Sequence, residues 1–166
     1  MDIREESTVA LYCPNHVDYL PVALAVSLCG AKLTPINHLY TATESERVLD
    51  LSRSSVLFVH TSKLEVALES VKNSKYIKHV VVITDEGEAV PEGTINLDSI
   101  RHDEGSLNQT VEAVHRATAS HPFLLPYSSG TTGLPKGVCL SHSNAQRRFR
   151  LSTRKPIPRE VGFYMT

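Results

Sequence analysis

No run of apolar residues in this chain approaches the ~18 positions that a membrane-crossing helix needs, which excludes a span of that kind. Charge of one sign is also lacking. The formal net charge is −1 over 166 residues, so no overall field draws the chain to nucleic acid or anionic lipid. Cysteine is scarce and odd in number, and Cys13, Cys29 and Cys139 are too far apart for a metal-binding pattern. Each sits among apolar neighbours, and all three are expected to be small buried hydrophobes in a reducing compartment. Among eight histidines, none is spaced from another as zinc ligands are. The start, Met1-Asp2-Ile3-Arg4-Glu5-Glu6, lacks the basic and then apolar pattern of a secretory signal. The end, Tyr164-Met165-Thr166, is not a peroxisomal tripeptide. There are no repeats and no low-complexity tract.

What is present is a composition of 41% apolar and 21% charged residues, typical of a globular domain. Strand and helix signals alternate. Thr8–Tyr12, Lys32–Pro35, Val56–Val59 and His79–Ile83 read as strands, the last two as unbroken apolar runs suited to a sheet covered on both faces. Helices are expected over His16–Leu28, from Thr43 to about Arg53, and over Lys63–Val71. The first has Leu20, Leu24 and Leu28 at i+4 spacing, with Gly30 just past its end. Thr43 and Glu46 are the expected capping box of the second, with Val48 and Leu51 facing inward. Asp85–Gly105 reads as a connecting loop with a short strand near Ile95–Leu97. Strands joined by helices of this length indicate parallel βαβ units, an α/β fold.

The most informative stretch is Leu125-Pro126-Tyr127-Ser128-Ser129-Gly130-Thr131-Thr132-Gly133-Leu134-Pro135-Lys136-Gly137-Val138. Glycines let backbone N–H groups turn onto an anion, hydroxyls add donors, and the lysine adds a mobile positive charge, a composition suited to a triphosphate. Phe123-Leu124-Leu125 before it and Val138-Cys139-Leu140 after it read as strands holding the loop at a sheet edge. A P-loop hydrolase needs lysine followed at once by Ser or Thr and then a helix. Lys136 is followed by Gly137 and an apolar run, so that alternative fails.

Tyr127 to Val138, followed by Leu140-Ser141-His142-Ser143-Asn144, resembles the phosphate loop of the adenylate-forming (AMP-dependent synthetase/ligase) superfamily, in its acyl-CoA synthetase and 4-coumarate–CoA ligase branch. Upstream, Val9-Ala10-Leu11, Pro14-Asn15, Ala23–Ala31, Pro35, Asn37 and Leu39-Tyr40-Thr41 are similar to the early part of the same domain. The resemblance covers Val9 to Asn144. It implies a partial N-terminal domain over residues 1–144, with parallel βαβ layers, and a divergent basic tail over 145–166 expected to be disordered. That tail carries Arg147, Arg148, Arg150, Arg154, Lys155 and Arg159 without an acid between Gln146 and Arg159, and reads as foreign to the parent enzyme rather than as a nucleic-acid-binding arm.

In this superfamily a carboxylate attacks the α-phosphate of ATP, and a thiol, usually of coenzyme A, then takes the acyl group. The resemblance implies that Ser128, Ser129, Gly130, Thr131, Thr132 and Gly133 wrap the departing β- and γ-phosphates, with Lys136 beside them. A unit charge pair about 4 Å apart at an effective dielectric near 20 interacts by about 4 kcal/mol before solvent discounts it. Thr131 and Thr132 are placed to donate hydrogen bonds or to reach Mg2+, and the sequence leaves both open. The implied cofactors are ATP, Mg2+ and coenzyme A; the implied partner is a small carboxylic acid, with no nucleic acid. For the parent enzyme a cytoplasmic or peroxisomal location is expected. The chain is expected to be a fragment or short isoform of an ATP-dependent carboxylate–CoA ligase, inactive alone because adenine, ribose and C-terminal contacts are missing. The alternative is a non-catalytic module that associates with a full-length ligase or another partner, or with itself, through exposed edges. His142 is expected to hold a positional or capping role beside Ser141, Ser143 and Asn144, and His121 before Pro122 to mark a turn.

Overall fold

The computed structural model describes residues 3–85, 88–101, 118–128 and 135–147. The chain runs β1 (Thr8–Tyr12), α1 (Tyr19–Leu28), β2 (Lys32–Ile36), α2 (Ala42–Ser52), β3 (Val56–His60), a 3-10 turn (Thr61–Lys63), α3 (Leu64–Val71) and β4 (His79–Ile83). It continues through β5 (Ile95–Asn96), α4 (Leu97–Arg101), β6 (Pro122–Leu124), β7 (Tyr127–Ser128), β8 (Lys136–Gly137) and β9 (Leu140–Ser141). Among the described residues, seven strands form one sheet in the order β5-β4-β3-β1-β2-β6-β9, while β7 and β8 pair separately. Every pairing in the large sheet is parallel except β6 with β9. The expected α/β fold with parallel βαβ units is what forms.

The unbroken apolar strands are the reason for two cores. In β1 every residue is buried, and alternate side chains point to opposite faces. Val9 and Leu11 join Val22 and Val26 of α1 on one face, with Leu97 and Ile100 of α4 packed against them. Ala10 and Tyr12 join Val48 and Leu49 of α2 and Ala67 of α3 on the other. Each large side chain buried this way contributes roughly 1.5–3 kcal/mol. The sheet is therefore wound on both faces, and β1 is its spine.

Gly30 closes α1. Its φ of 75° is left-handed, its N–H reaches the Ser27 carbonyl at 3.0 Å, and that of Ala31 reaches Val26 at 3.1 Å. This paired C-terminal cap is what a glycine at that place permits. The helix starts at Tyr19, later than the expected His16. Its i+4 leucines do not enter the core: Leu20 is 63%, Leu24 55% and Leu28 45% exposed, and Val22 and Val26 make the packing contacts instead.

The capping box of α2 also differs from the expected Thr43–Glu46 pair. Thr41 is the cap: its N–H donates to the Glu44 carboxylate at 2.8 Å, and the Glu44 N–H returns to Thr41 Oγ1 at 3.4 Å. Thr43 lies inside the first turn of the helix instead. The helix buries Ser45, Val48, Leu49 and Ser52, and Leu51 faces outward rather than inward as expected. The cysteines split as well. Cys13 is buried as expected, Cys29 is half-buried, and Cys139 is exposed because the chain between β8 and β9 runs over the surface. Among the described residues no helix is long and apolar enough to cross a membrane.

Candidate functional site

The parallel register of β6 on β2, with Leu33 opposite Leu124, brings the chain out at the carboxyl edge of the sheet. The Leu125 N–H extends that pairing by donating to the Leu33 carbonyl at 2.8 Å. Pro126 carries no N–H to continue it, and the chain leaves the sheet for a separate hairpin stem. There Tyr127 pairs with Gly137 and Ser128 with Lys136, antiparallel. The Val138 N–H closes the base of the stem on the Pro126 carbonyl at 2.9 Å.

Residues directly opposite in an antiparallel pair share a face, and neighbours along a strand take opposite faces. Tyr127 and Gly137 therefore occupy one face and Ser128 and Lys136 the other. The Tyr127 ring packs against the α2/α3 core, where burial pushes its phenol above the ordinary value. Gly137 is required opposite it: a Cβ there would lie 2.9 Å from Tyr127 Cε1 and 3.1 Å from Cζ. Ser128 and Lys136 are both exposed. The two ends of the glycine-rich segment are thus pinned side by side, with a hydroxyl and an ammonium on the solvent face. Ser129, Gly130, Thr131, Thr132 and Gly133 lie outside the described residues.

Beyond the stem, β9 returns antiparallel beside β6. The Ser141 N–H donates to Asn144 Oδ1 at 2.9 Å, and the Asn144 N–H to Ser141 Oγ at 3.4 Å, starting a helix over residues 142–147. His142 stacks on Phe123 at 4.8 Å and 15°. Burial, with nearby His121 adding to it, holds its imidazole below the ordinary value. The His142 ring is held in place by its stack on Phe123. His121 does more than mark a turn, since its Nε2 lies 2.8 Å from the Gly30 carbonyl and ties β6 to the end of α1.

A polar cavity of about 320 Å3 opens at the opposite, amino edge of the sheet, between Thr8, Arg53, Ser55 and Lys78, and contains none of these residues. Sequence spacing gave no sign of one further group. His16, His60 and Asp85 converge at the carboxyl ends of β1, β3 and β4. Only the strand order brings them together.

The chain belongs to the AMP-binding enzyme family, whose pattern it matches over residues 1–161. It is 32% identical over 149 residues to 4-coumarate-CoA ligase 1 of Narcissus pseudonarcissus, across 86% of this chain and 24% of that protein. It is 35% identical over 136 residues to the probable CoA ligase CCL9 of Humulus lupulus, across 82% of this chain and 25% of that one. The fold matches the crystal structure of the anthranilate CoA ligase AuaEII in complex with anthranoyl-AMP, with a TM-score of 0.73, 25% identity, and coverage of 90% of this chain and 27% of that one. The chain therefore spans about a quarter of the length of the curated relatives it matches.

Proposed function

We propose that the chain is the phosphate-loop portion of an ATP-dependent carboxylate–CoA ligase, with Ser128–Gly133 and Lys136 contacting the β- and γ-phosphates of ATP. The observation that carries this reading is the Ser128–Lys136 pair, which closes a glycine- and hydroxyl-rich segment and sets both side chains on one exposed face. Lys136 attracts the phosphates as a point charge, and the hydroxyls and turned-in N–H groups supply direction. The loop stabilises charge on the leaving group and is not a nucleophile. When bound, Mg2+ neutralises phosphate charge; among the described residues the one cluster fit for a metal ion shares no residue with this stem. Adenine, ribose and coenzyme A contacts are assigned to no described residue. The acyl substrate of the parent is a carboxylic acid, in line with the ligases the chain resembles.

Alone, the 166 residues carry phosphate affinity without ligase turnover. The test has two arms. Magnesium pyrophosphate binding, read by calorimetry, is expected to weaken about two- to fivefold in Lys136→Ala, the scale of one exposed charge contact. Acyl-CoA formation from ATP, coenzyme A and a panel of aromatic and fatty acids is expected to be absent. Unchanged pyrophosphate affinity in the variant sinks the loop assignment, and turnover by the isolated chain sinks the inactivity.

The exposed leucine stripe of α1 favours a second reading, a non-catalytic module that associates through that face. A concentration-independent monomer in sedimentation, alone and mixed with a full-length ligase, removes it.

A further inference from the structure

We infer that His16, His60 and Asp85 form a binding site for a zinc-class divalent cation at the carboxyl edge of the sheet. The position follows from topology. Strand β1 connects rightward to β2 through α1, whereas β3 connects outward to β4 on the other side. The order β2-β1-β3-β4-β5 therefore reverses direction between β1 and β3. In doubly wound sheets the crevice beyond the strand ends at such a reversal is where ligands bind. His60 is the last residue of β3, His16 follows β1, and Asp85 follows β4.

The donor set suits the ion. Asp85 Oδ1 lies 3.5 Å from His16 Nε2, and Asp85 Oδ2 lies 3.9 Å from His60 Nε2. The candidate ligand atoms all fall within 4.8 Å of one another. Two ligands on one tetrahedral zinc with bonds near 2.0–2.1 Å stand roughly 3.3–3.4 Å apart. The two carboxylate separations run to different oxygens, so the carboxylate meets the ion through both or turns to offer one, and the ligand atoms close by at most about 1.5 Å on that reference. Two imidazoles and one carboxylate select zinc, cobalt or nickel over magnesium and calcium, which prefer oxygen.

A second observation stands apart from the clustering. His60 is 6% exposed, yet its Nε2 is buried without a hydrogen-bond partner. A polar nitrogen left this way costs about 1–3 kcal/mol unless something meets it. It faces the carboxylate from beyond hydrogen-bonding distance, and an ion between them satisfies both.

In the free site the hydrogen bonds hold the opposite tautomer to the one that ligation through Nε2 needs. The Nδ1 atoms of His16 and His60 now accept the backbone N–H groups of Asp18 and Ser62, each at 3.2 Å. Ligation through Nε2 moves each ring proton to Nδ1 at the loss of those two contacts; Ser62 Oγ at 2.8 Å accepts it from His60, while Asp18 Oδ2, 3.7 Å from His16 Nδ1, accepts only after a shift of the side chains. Asp18 is itself anchored by the Arg101 guanidinium at 2.8 Å. Ligating histidines commonly back onto a carboxylate or hydroxyl in this way. The Asp85 side chain is 66% exposed, so the ion has an entry path and a fourth position open to water. The site ties the ends of β1, β3 and β4 together and shares no residue with the phosphate loop.

The test titrates Zn2+, and in parallel Co2+, into the 166-residue chain freed of metal by chelator. One equivalent is expected to bind saturably and raise the melting midpoint. Cobalt is expected to give the intense visible bands of four- or five-coordination. Long-range 1H–15N spectra are expected to move Nε2 of His16 and His60. Asp85→Asn, exposed and safe for folding, is expected to lose at least tenfold in affinity, the scale at which even outer-shell changes register; His16→Gln is the second variant. Retained affinity in both variants, cobalt bands typical of an octahedral aquo ion, or unmoved histidine nitrogens overturn the proposal. So does the absence of saturable binding.

Discussion

Gly137→Ala adds one methyl group to the solvent-exposed stem, yet it is expected to be costly. The new Cβ would stand 2.9 Å from Tyr127 Cε1, 3.1 Å from Cζ and 3.3 Å from Oη. Relaxed carbon–carbon contacts lie near 3.5–4.0 Å, so the ring must retreat by roughly 0.5–1 Å. It cannot do so freely, because it packs against the core formed by α2, α3 and the strands. Overpacking of this kind costs about 1–3 kcal/mol, which at this chain length lowers the melting midpoint by roughly 2–12 °C. The assay is urea unfolding of Gly137→Ala, Tyr127→Ala and the double variant. If the ring is the obstacle, the alanine at 137 loses most of its cost once the ring is gone, giving a coupling of about the same 1–3 kcal/mol. A Gly137→Ala protein that unfolds at the wild-type urea concentration refutes the reasoning. An equal cost with and without the ring does the same, and would place the glycine requirement in the backbone.

Thr41→Ala is expected to cost about 1 kcal/mol in thermal or urea melts by removing the cap of α2, while Thr43→Ala stays within about 0.5 kcal/mol; the reverse order would restore the capping box to Thr43 and Glu46. For the cysteines, burial and then the Asp18 carboxylate push the Cys13 thiol from 9.0 up to about 11. The unfolded thiol ionises first, so this contribution to stability is intact below about pH 9 and is lost between about pH 9 and 11. Burial also raises Tyr12 and Tyr19, so Cys13→Ala is expected to flatten the alkaline fall only in part, read as urea midpoint against pH. Iodoacetamide at pH 8 is expected to label exposed Cys139 first and Cys13 last, and comparable native labelling rates would contradict the burial.

The strands were legible because each is a short apolar run with a local boundary. Thr8–Tyr12 and His79–Ile83 form over the expected residues, and Gly30 marks the end of α1. Errors arose where two local patterns overlapped. Thr41-x-x-Glu44 and Thr43-x-x-Glu46 are both acceptable caps by pattern, and the choice shows only in the structure, where Thr41 is extended and bonded to Glu44 while Thr43 is helical. The i+4 leucines of α1 were visible as helix, but their exposure depends on which face meets the sheet. Leu97–Arg101 was missed because five residues after a strand are too few for periodicity to register. At the candidate site, the residues quoted from Ser128 and Lys136 prove to be cross-strand partners. The role of Tyr127 in enforcing Gly137 was not readable, since it depends on ring placement. His16, His60 and Asp85 had no local signature at all: their proximity is a product of strand order.

The attachment of β6 to β2 has a consequence for how the molecule assembles. Strands β1 to β4 pair through short βαβ connections, so this part closes its contacts over modest stretches of chain. Strand β6 reaches β2 only after the chain has passed through β3, β4, β5 and α4. Closing so long an excursion is entropically slower than closing a local unit. The stem bearing Ser128 and Lys136 is therefore expected to join late in folding, after the pairing of β1 to β4. Fraying from the β9 edge is expected to free β9 first and then β6, and the stem with it.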